Sequence, residues 1–238
     1  PSSQFVRSSS VTEALRAVKD DHEIAALAAA AVAADQVATQ LQQGDVVLVG
    51  RTEADISADL GRRLVDEGHQ RVNFAIVAAG ANAASPHHEL GARVVGPDEV
   101  VLCDFGATMV DDNGVGYCSD ITRCVWTGTP PSEVAEVYGV LAAAQQAAFD
   151  AVAPGVAASV VDRAARDVIS AAGFGDRFVH RTGHGIGVEE HEEPYVVDGN
   201  DAPLVVGNAF SIEPGIYLPG RYGFRLEDIV VAVEGGGR

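Results

Sequence analysis

Stretches rich in Ala, Leu, Gln and Glu, free of Gly and Pro, alternate along this chain with short apolar runs closed by Gly, Pro or Asn-Gly, and the alternation runs through twice. In the first pass, residues 12–43 predict one long helix that Gly44 stops. Thr52-Glu53-Ala54-Asp55 has the spacing of a capping signal and predicts a second helix to about Glu67. Residues 72–80 read as a buried strand leading into a loop, 82–88, that carries His87 and His88. Between 101 and 128 two apolar arms flank the polar turn Asp111-Asp112-Asn113-Gly114, which predicts a β-hairpin. In the second pass Pro131-Ser132 opens an Ala-rich helix that ends at Pro154-Gly155, and another helix is predicted at about 158–172. A short strand near 177–180, a His/Gly-rich loop at 181–187 and two strand-like runs, 209–217 and 225–233, complete it.

Each arm of each hairpin carries one carboxylate among residues that should be buried: Asp104 and Asp120 in the first, Glu213 and Glu227 in the second. A turn centred on Asp112 places Asp104 directly opposite Asp120, whereas a tight Asn113-Gly114 turn needs a bulge. Facing carboxylates repel unless something positive lies between them, and a cation is the simplest candidate. Asp104 and Glu213 are 109 positions apart, Asp120 and Glu227 are 107 apart, and side-chain identity between the halves is weak. The repeat is therefore one of elements. It predicts an α+β fold of two pseudo-symmetric halves, with their sheets stacked about a twofold axis and the helices outside. Four acids from four strands then converge; the plainer alternative is four unrelated exposed carboxylates. An oxygen-rich set with one imidazole suits Mn²⁺, Co²⁺, Fe²⁺ or Zn²⁺, and four carboxylates exceed what one ion needs. Two ions sharing bridging carboxylates would use them all and make a nucleophile of a shared water.

Composition narrows the field. A chain of 238 residues with 47% hydrophobic content is long enough for one large globular domain. A net charge of −18 and the absence of any Lys/Arg run argue against a nucleic-acid or phosphate-binding surface, and the acidity reads chiefly as solubility. Cys103, Cys118 and Cys124 are odd in number and imply free thiols in a reducing cytoplasm. The first ten residues lack the apolar core of a signal peptide, and the run 24–34 is too short and Ala-rich to span a bilayer. The expectation is a soluble, cytoplasmic chain, and its lack of an initiating Met reads as a fragment or processed product.

The motifs Pro86-His87-His88, Asp104-Phe105-Gly106, Ser119-Asp120-Ile121-Thr122-Arg123, His180–Gly187, His191-Glu192-Glu193-Pro194, Ile212-Glu213-Pro214-Gly215 and Arg225-Leu226-Glu227-Asp228 together resemble the pita-bread metallopeptidases. Within these the chain is most similar to the branch of Xaa-Pro dipeptidases (prolidases) and Xaa-Pro aminopeptidases, over about 15–233. The resemblance implies a curved antiparallel sheet with helices outside, two divalent metal ions with Mn²⁺ favoured, and attack of a metal-bridging hydroxide on the bond before proline. It implies that Asp104 chelates one ion, that Asp120 and Glu227 bridge both, and that His184 and Glu213 complete the other. Glu213 is then also the general base, His87 contacts the scissile amide, and His191 stabilises the oxyanion. Arg225 matches a substrate-site arginine, and His180 and Tyr217 occupy substrate-lining positions. The expected partner is a peptide with proline second; a homodimer is compatible with the family. Two departures stand out: the Asp104–Asp120 connection is longer than usual, which predicts an extended hairpin, and the catalytic motifs begin without room for the family's usual N-terminal domain, so a truncation or a single-domain enzyme is expected. Residues 1–238 are expected to form a single catalytic domain. Alternatives on the same fold are a methionine-aminopeptidase-like exopeptidase, a metal-free creatinase-like hydrolase and a non-catalytic binding module.

Overall fold

The stretch expected to form one long helix folds as two in a computed structural model that describes residues 9–89 and 91–238. Helices α1 (Ser9–Arg16) and α2 (Asp21–Gln43) are separated because Asp20 N-caps α2 in a reciprocal capping box with Glu23. The residues between them are committed to a distant part of the chain. Val18 forms a β-bridge with Asn208, and Lys19 N–H donates to the Gly207 carbonyl at 2.8 Å. Gly44, at φ 87°, closes α2 in the left-handed conformation that a side chain would resist. By length and hydropathy α2 could cross a membrane. Here its face of Leu27, Ala30, Ala34, Val37 and Leu41, at helical spacing, is buried against the first sheet.

Helix α3 (Glu53–Asp66) starts where its capping signal predicts, with Thr52 and Asp55 exchanging hydrogen bonds, and lies on β1 (Arg71–Ala79). Strand β2 (Val100–Val110) is buried along nearly its whole length and holds the sheet together. It pairs antiparallel with β1 on one side and with β3 (Gly116–Cys118) and β4 (Ile121–Trp126) on the other. The hairpin is extended at its tip, as expected, but its register differs from the direct Asp104–Asp120 pairing. Asp104 faces Thr122, and Asp120 lies in the link between β3 and β4. The cause is local. The Asp111 N–H donates to the Val115 carbonyl while its carboxylate accepts from the Asn113 and Val115 amides, shifting the turn past Asp112.

The second half packs α4 (Ser132–Asp150) and α5 (Ala158–Ala171) against a five-stranded sheet. Its strands are β5 (Gly183–Gly185), β6 (Glu192–Val196), β7 (Ala209–Ile212), β10 (Asp228–Val233) and β11 (Gly236–Gly237), in the order β11-β10-β7-β5-β6. Strands β8 (Gly215–Leu218) and β9 (Tyr222–Arg225) pair as a separate hairpin. The runs expected at 209–217 and 225–233 are therefore each broken, at Glu213-Pro214 and Leu226-Glu227, and their arms serve two sheets. Pro214 has no N–H with which to continue a ladder. The strand expected near 177–180 does not form; a 3₁₀ turn, Gly175–Arg177, leads into the buried Phe178 instead.

Two large apolar cores form, one under α2 and α3 against the first sheet and one under α4 and α5 against the second, and a smaller cluster joins Leu27, Tyr117, Cys118, Ile186 and Ala209. This is the expected α+β layout with helices outside. The halves meet where the Glu227 N–H donates to the Thr122 carbonyl at 3.3 Å. All three cysteines are free thiols.

Candidate active site

The seam between the halves carries the acids. Asp104 comes from mid-β2, Asp120 from the β3–β4 link, His184 from the centre of β5, Glu213 from the break after β7, and Glu227 from the break before β10. Strand interruption frees the last two side chains to turn into the seam. Asp120, His184 and Glu227, all buried, each present a ligand atom within 4.8 Å of the others. His184 Nε2 lies 3.3 Å from Glu213 Oε1 and 3.7 Å from Asp120 Oδ2. Its Nδ1–H donates to the Gly185 carbonyl at 3.1 Å, which leaves Nε2 as a lone pair aimed at the carboxylates. Thr122 Oγ1 donates to Glu227 Oε2 at 2.6 Å, and Ser211 Oγ, which accepts from the His184 N–H, donates to Glu213 Oε1 at 3.1 Å.

One guanidinium, that of Arg225, stands against these four carboxylates. Burial first, then the neighbouring Glu227, Asp104 and Glu213, holds the Asp120 carboxyl well above its ordinary range. Burial, then Glu213 and Asp104, does the same to Glu227, and burial pushes Glu213 up to about 7. Burial, reinforced by His191, pushes the His184 imidazole down to about 3, so it is neutral. Oδ1 of Asp104 and Oδ1 of Asp120 are buried without any hydrogen-bond partner. Carboxylates crowded against each other and against an imidazole lone pair, with oxygens left over, fit divalent cations in both donor type and number.

Arg225, 4% exposed, is the cation of the cluster's edge. Its Nη2 donates to Asp104 Oδ2, its Nη1 to Tyr217 Oη at 2.9 Å and to the Pro86 carbonyl at 3.3 Å, and its Nε to Thr122 Oγ1 at 3.2 Å. Tyr217 passes the chain on to His180 Nε2 at 2.8 Å, because His180 Nδ1–H is used on the Arg181 carbonyl at 2.7 Å. Arg225 thus spends its fork on protein groups, and Tyr217 lies behind His180.

A cavity of ≈ 670 Å³ opens over the acids. His87, His180 and His191 line it, and Phe74, Ile76 and Tyr195 supply apolar wall. His191 stacks on His184 with ring centroids 4.0 Å apart and accepts from Arg181 Nη2 at Nδ1, 3.2 Å away, which leaves Nε2–H as a donor. Burial, then Arg181, lowers its pKa. Every sequence-expected residue except Tyr217 lines this one cavity. Sequence reasoning missed the residues that support the cluster. Thr122 and Ser211 each sit two positions from an acid, and at Thr122 strand alternation was a readable signal. Glu53 and Lys19, which hold the flanking loops, gave none.

The family model for "Metallopeptidase family M24" matches residues 23–234. The "Probable dipeptidase PepE" of Mycobacterium tuberculosis is 50% identical over 231 residues, covering 97% of this chain and 60% of its own length. The "Xaa-Pro dipeptidase" of Lactobacillus helveticus is 44% identical over 240 residues, covering 99% and 63%. The crystal structure of dipeptidase PepE from Mycobacterium ulcerans superposes with a TM-score of 0.92 at 49% identity, covering 98% of this chain and 61% of that one. The chain thus spans about three fifths of the length of the relatives it matches.

Proposed function

The chain belongs to metallopeptidase family M24, and we propose that it is a two-metal exopeptidase that hydrolyses the peptide bond before proline in Xaa-Pro dipeptides or at the N-terminus of Xaa-Pro peptides. One observation carries the reading. Four carboxylates, three of them buried and two of these, Asp104 and Asp120, with an oxygen that no donor meets, face a neutral imidazole lone pair on the floor of a cavity large enough for a dipeptide. Asp104, Asp120, His184, Glu213 and Glu227 hold the ions, with Mn²⁺ favoured. Bound there, divalent ions supply Lewis-acid polarisation and lower the pKa of water toward neutrality.

The chain's own groups do the rest. Glu213, steered by Ser211, takes a proton from the attacking water and returns it to the departing proline nitrogen. The Nε2–H of His191 donates to the carbonyl oxygen as negative charge grows there. His87, on the wall of the same cavity, contacts the scissile amide. Arg225 orients Asp104 through its ion pair and, through Tyr217, fixes His180 on the substrate wall. Proline in the second position offers no amide N–H, so selection rests on shape, with Phe74, Ile76 and Tyr195 against the ring. The three free thiols, two of them buried, accord with a reducing, cytoplasmic setting.

Metal-stripped protein reloaded with Mn²⁺ and given Ala-Pro is expected to release proline, and to do so little or not at all when stripped. Failure under Mn²⁺, Co²⁺, Zn²⁺ and Fe²⁺ alike rejects the reading in favour of a binding module.

A further inference from the structure

Glu53 is the first residue of α3 and 0% exposed, and it is not among the residues that line the cavity over the acids. Its carboxylate is nevertheless saturated by one segment of chain. Oε1 accepts from the Ala79 N–H at 2.8 Å and from Asn82 Nδ2 at 2.9 Å, and Oε2 accepts from His88 Nε2 at 2.9 Å. These three donors span the end of β1, the 3₁₀ turn that follows and the loop bearing His87. The segment after that loop returns to the same place: Glu53 N–H donates to the Arg93 carbonyl at 3.0 Å and Ala54 N–H to the Gly91 carbonyl at 3.3 Å. On the other side of His87, the Pro86 carbonyl is held by Arg225. His87 itself is exposed to the cavity, bracketed between a fixed carbonyl and a fixed ring.

A buried carboxylate carries a desolvation penalty that only well-made bonds offset, so its presence under a loop fixes that loop's path. We infer that Glu53 and His88 are positioning residues that aim His87 at the scissile amide, and that of the two adjacent histidines His88 acts inward on Glu53 while His87 acts outward on substrate. The inference rests on the role proposed above for His87. A misplacement of a contacting group by about 1 Å lowers turnover by about a hundredfold.

The test is a double-mutant cycle on Mn²⁺-loaded protein with Ala-Pro. Glu53→Ala and His88→Phe are each expected to lower kcat/KM by roughly tenfold to a hundredfold with bound metal unchanged. Glu53→Gln, which keeps Oε1 for Ala79 and Asn82, should stay within a few-fold. In a His87→Ala background, the Glu53→Ala and His88→Phe losses should shrink to less than about threefold, because the group they aim is gone. Losses that multiply in that background, or a fall in bound metal, overturn the inference. Should Glu53→Ala fail to fold, His88→Phe completes the cycle alone. A readout free of turnover comes from ¹⁵N-histidine NMR. The resonance lost in His87→Ala should move toward that of free histidine in His88→Phe; an unmoved resonance overturns the inference even if the protein cleaves nothing. A protein inactive with every metal fails the proposed function separately.

Discussion

Two sets of buried acids in this molecule differ in one respect, and the difference separates framework from function. Glu53, Asp162 and Glu192 lie under helices and loops, and donors meet their carboxylates. Asp162 accepts from Arg166 Nε at 2.6 Å, Thr182 Oγ1 at 2.7 Å and Thr182 N–H at 3.1 Å. Glu192 accepts from the buried Lys19 at 3.0 Å and also from Arg16. Burial raises the pKa of Glu192, but Lys19, the Glu189 amide and Arg16 outweigh burial and hold it below its ordinary value. Asp104, Asp120 and Glu227 are also buried and Glu213 is partly so, yet their neighbours are mostly other acceptors. Burial type alone does not tell a structural carboxylate from a ligand; the balance of donors against acceptors around it does.

The sharpest way to break the contrast is to remove one acid of the central set. Asp120→Asn is expected to lower kcat/KM on Ala-Pro by about a thousandfold, a transition-state loss of about 4 kcal/mol. The same change should raise the melting temperature of the metal-free protein, because it relieves repulsion. Calorimetry in EDTA checks it, and a fall in melting temperature would place Asp120 with the framework acids.

Metal removal should act next most strongly. At ligand concentrations 100 to 1,000 times Kd, bound ions add about 3–4 kcal/mol of stability. The stripped protein should also lose stability as pH rises. Below the ordinary glutamic value of 4.5 both the folded and unfolded chains carry the proton on Glu213. Above it the unfolded chain releases a proton that the fold retains until about 7, so stability declines across that window. Chemical denaturation at several pH values, with and without Mn²⁺, measures both effects.

Asp162→Ala tests the other set. It leaves Thr182 Oγ1 and Arg166 Nε without their acceptor and is expected to cost about 3 kcal/mol in denaturant unfolding, with two metal equivalents still bound. The smallest effect is expected from Thr122→Val, which removes one hydrogen bond to Glu227 and should weaken metal binding about tenfold, readable by titration calorimetry.

Much of this was legible along the chain because it is local. The Thr52–Asp55 capping box, the αL glycine after α2 and the Ala-rich faces of α4 and α5 depend on neighbours a few residues away. The break before α2 was also written locally, since Asp20 and Glu23 have capping-box spacing, but the helical composition on both sides masked it. The hairpin register was not legible. It turned on how many amides the Asp111 carboxylate collects, which moved Asp120 away from Asp104 by two residues of pairing. Nor was the inward task of His88, because Glu53 lies thirty-five positions earlier on a different element.

By itself the sequence determined the elements, their twofold repetition and the identity of the acids and histidines, since helix, strand and turn preferences act over short spans. Only the tertiary structure decided which acids lack donors, which histidine faces inward and what Arg225 holds. Those outcomes depend on groups brought together across the seam, where removal of water makes every unmatched charge count.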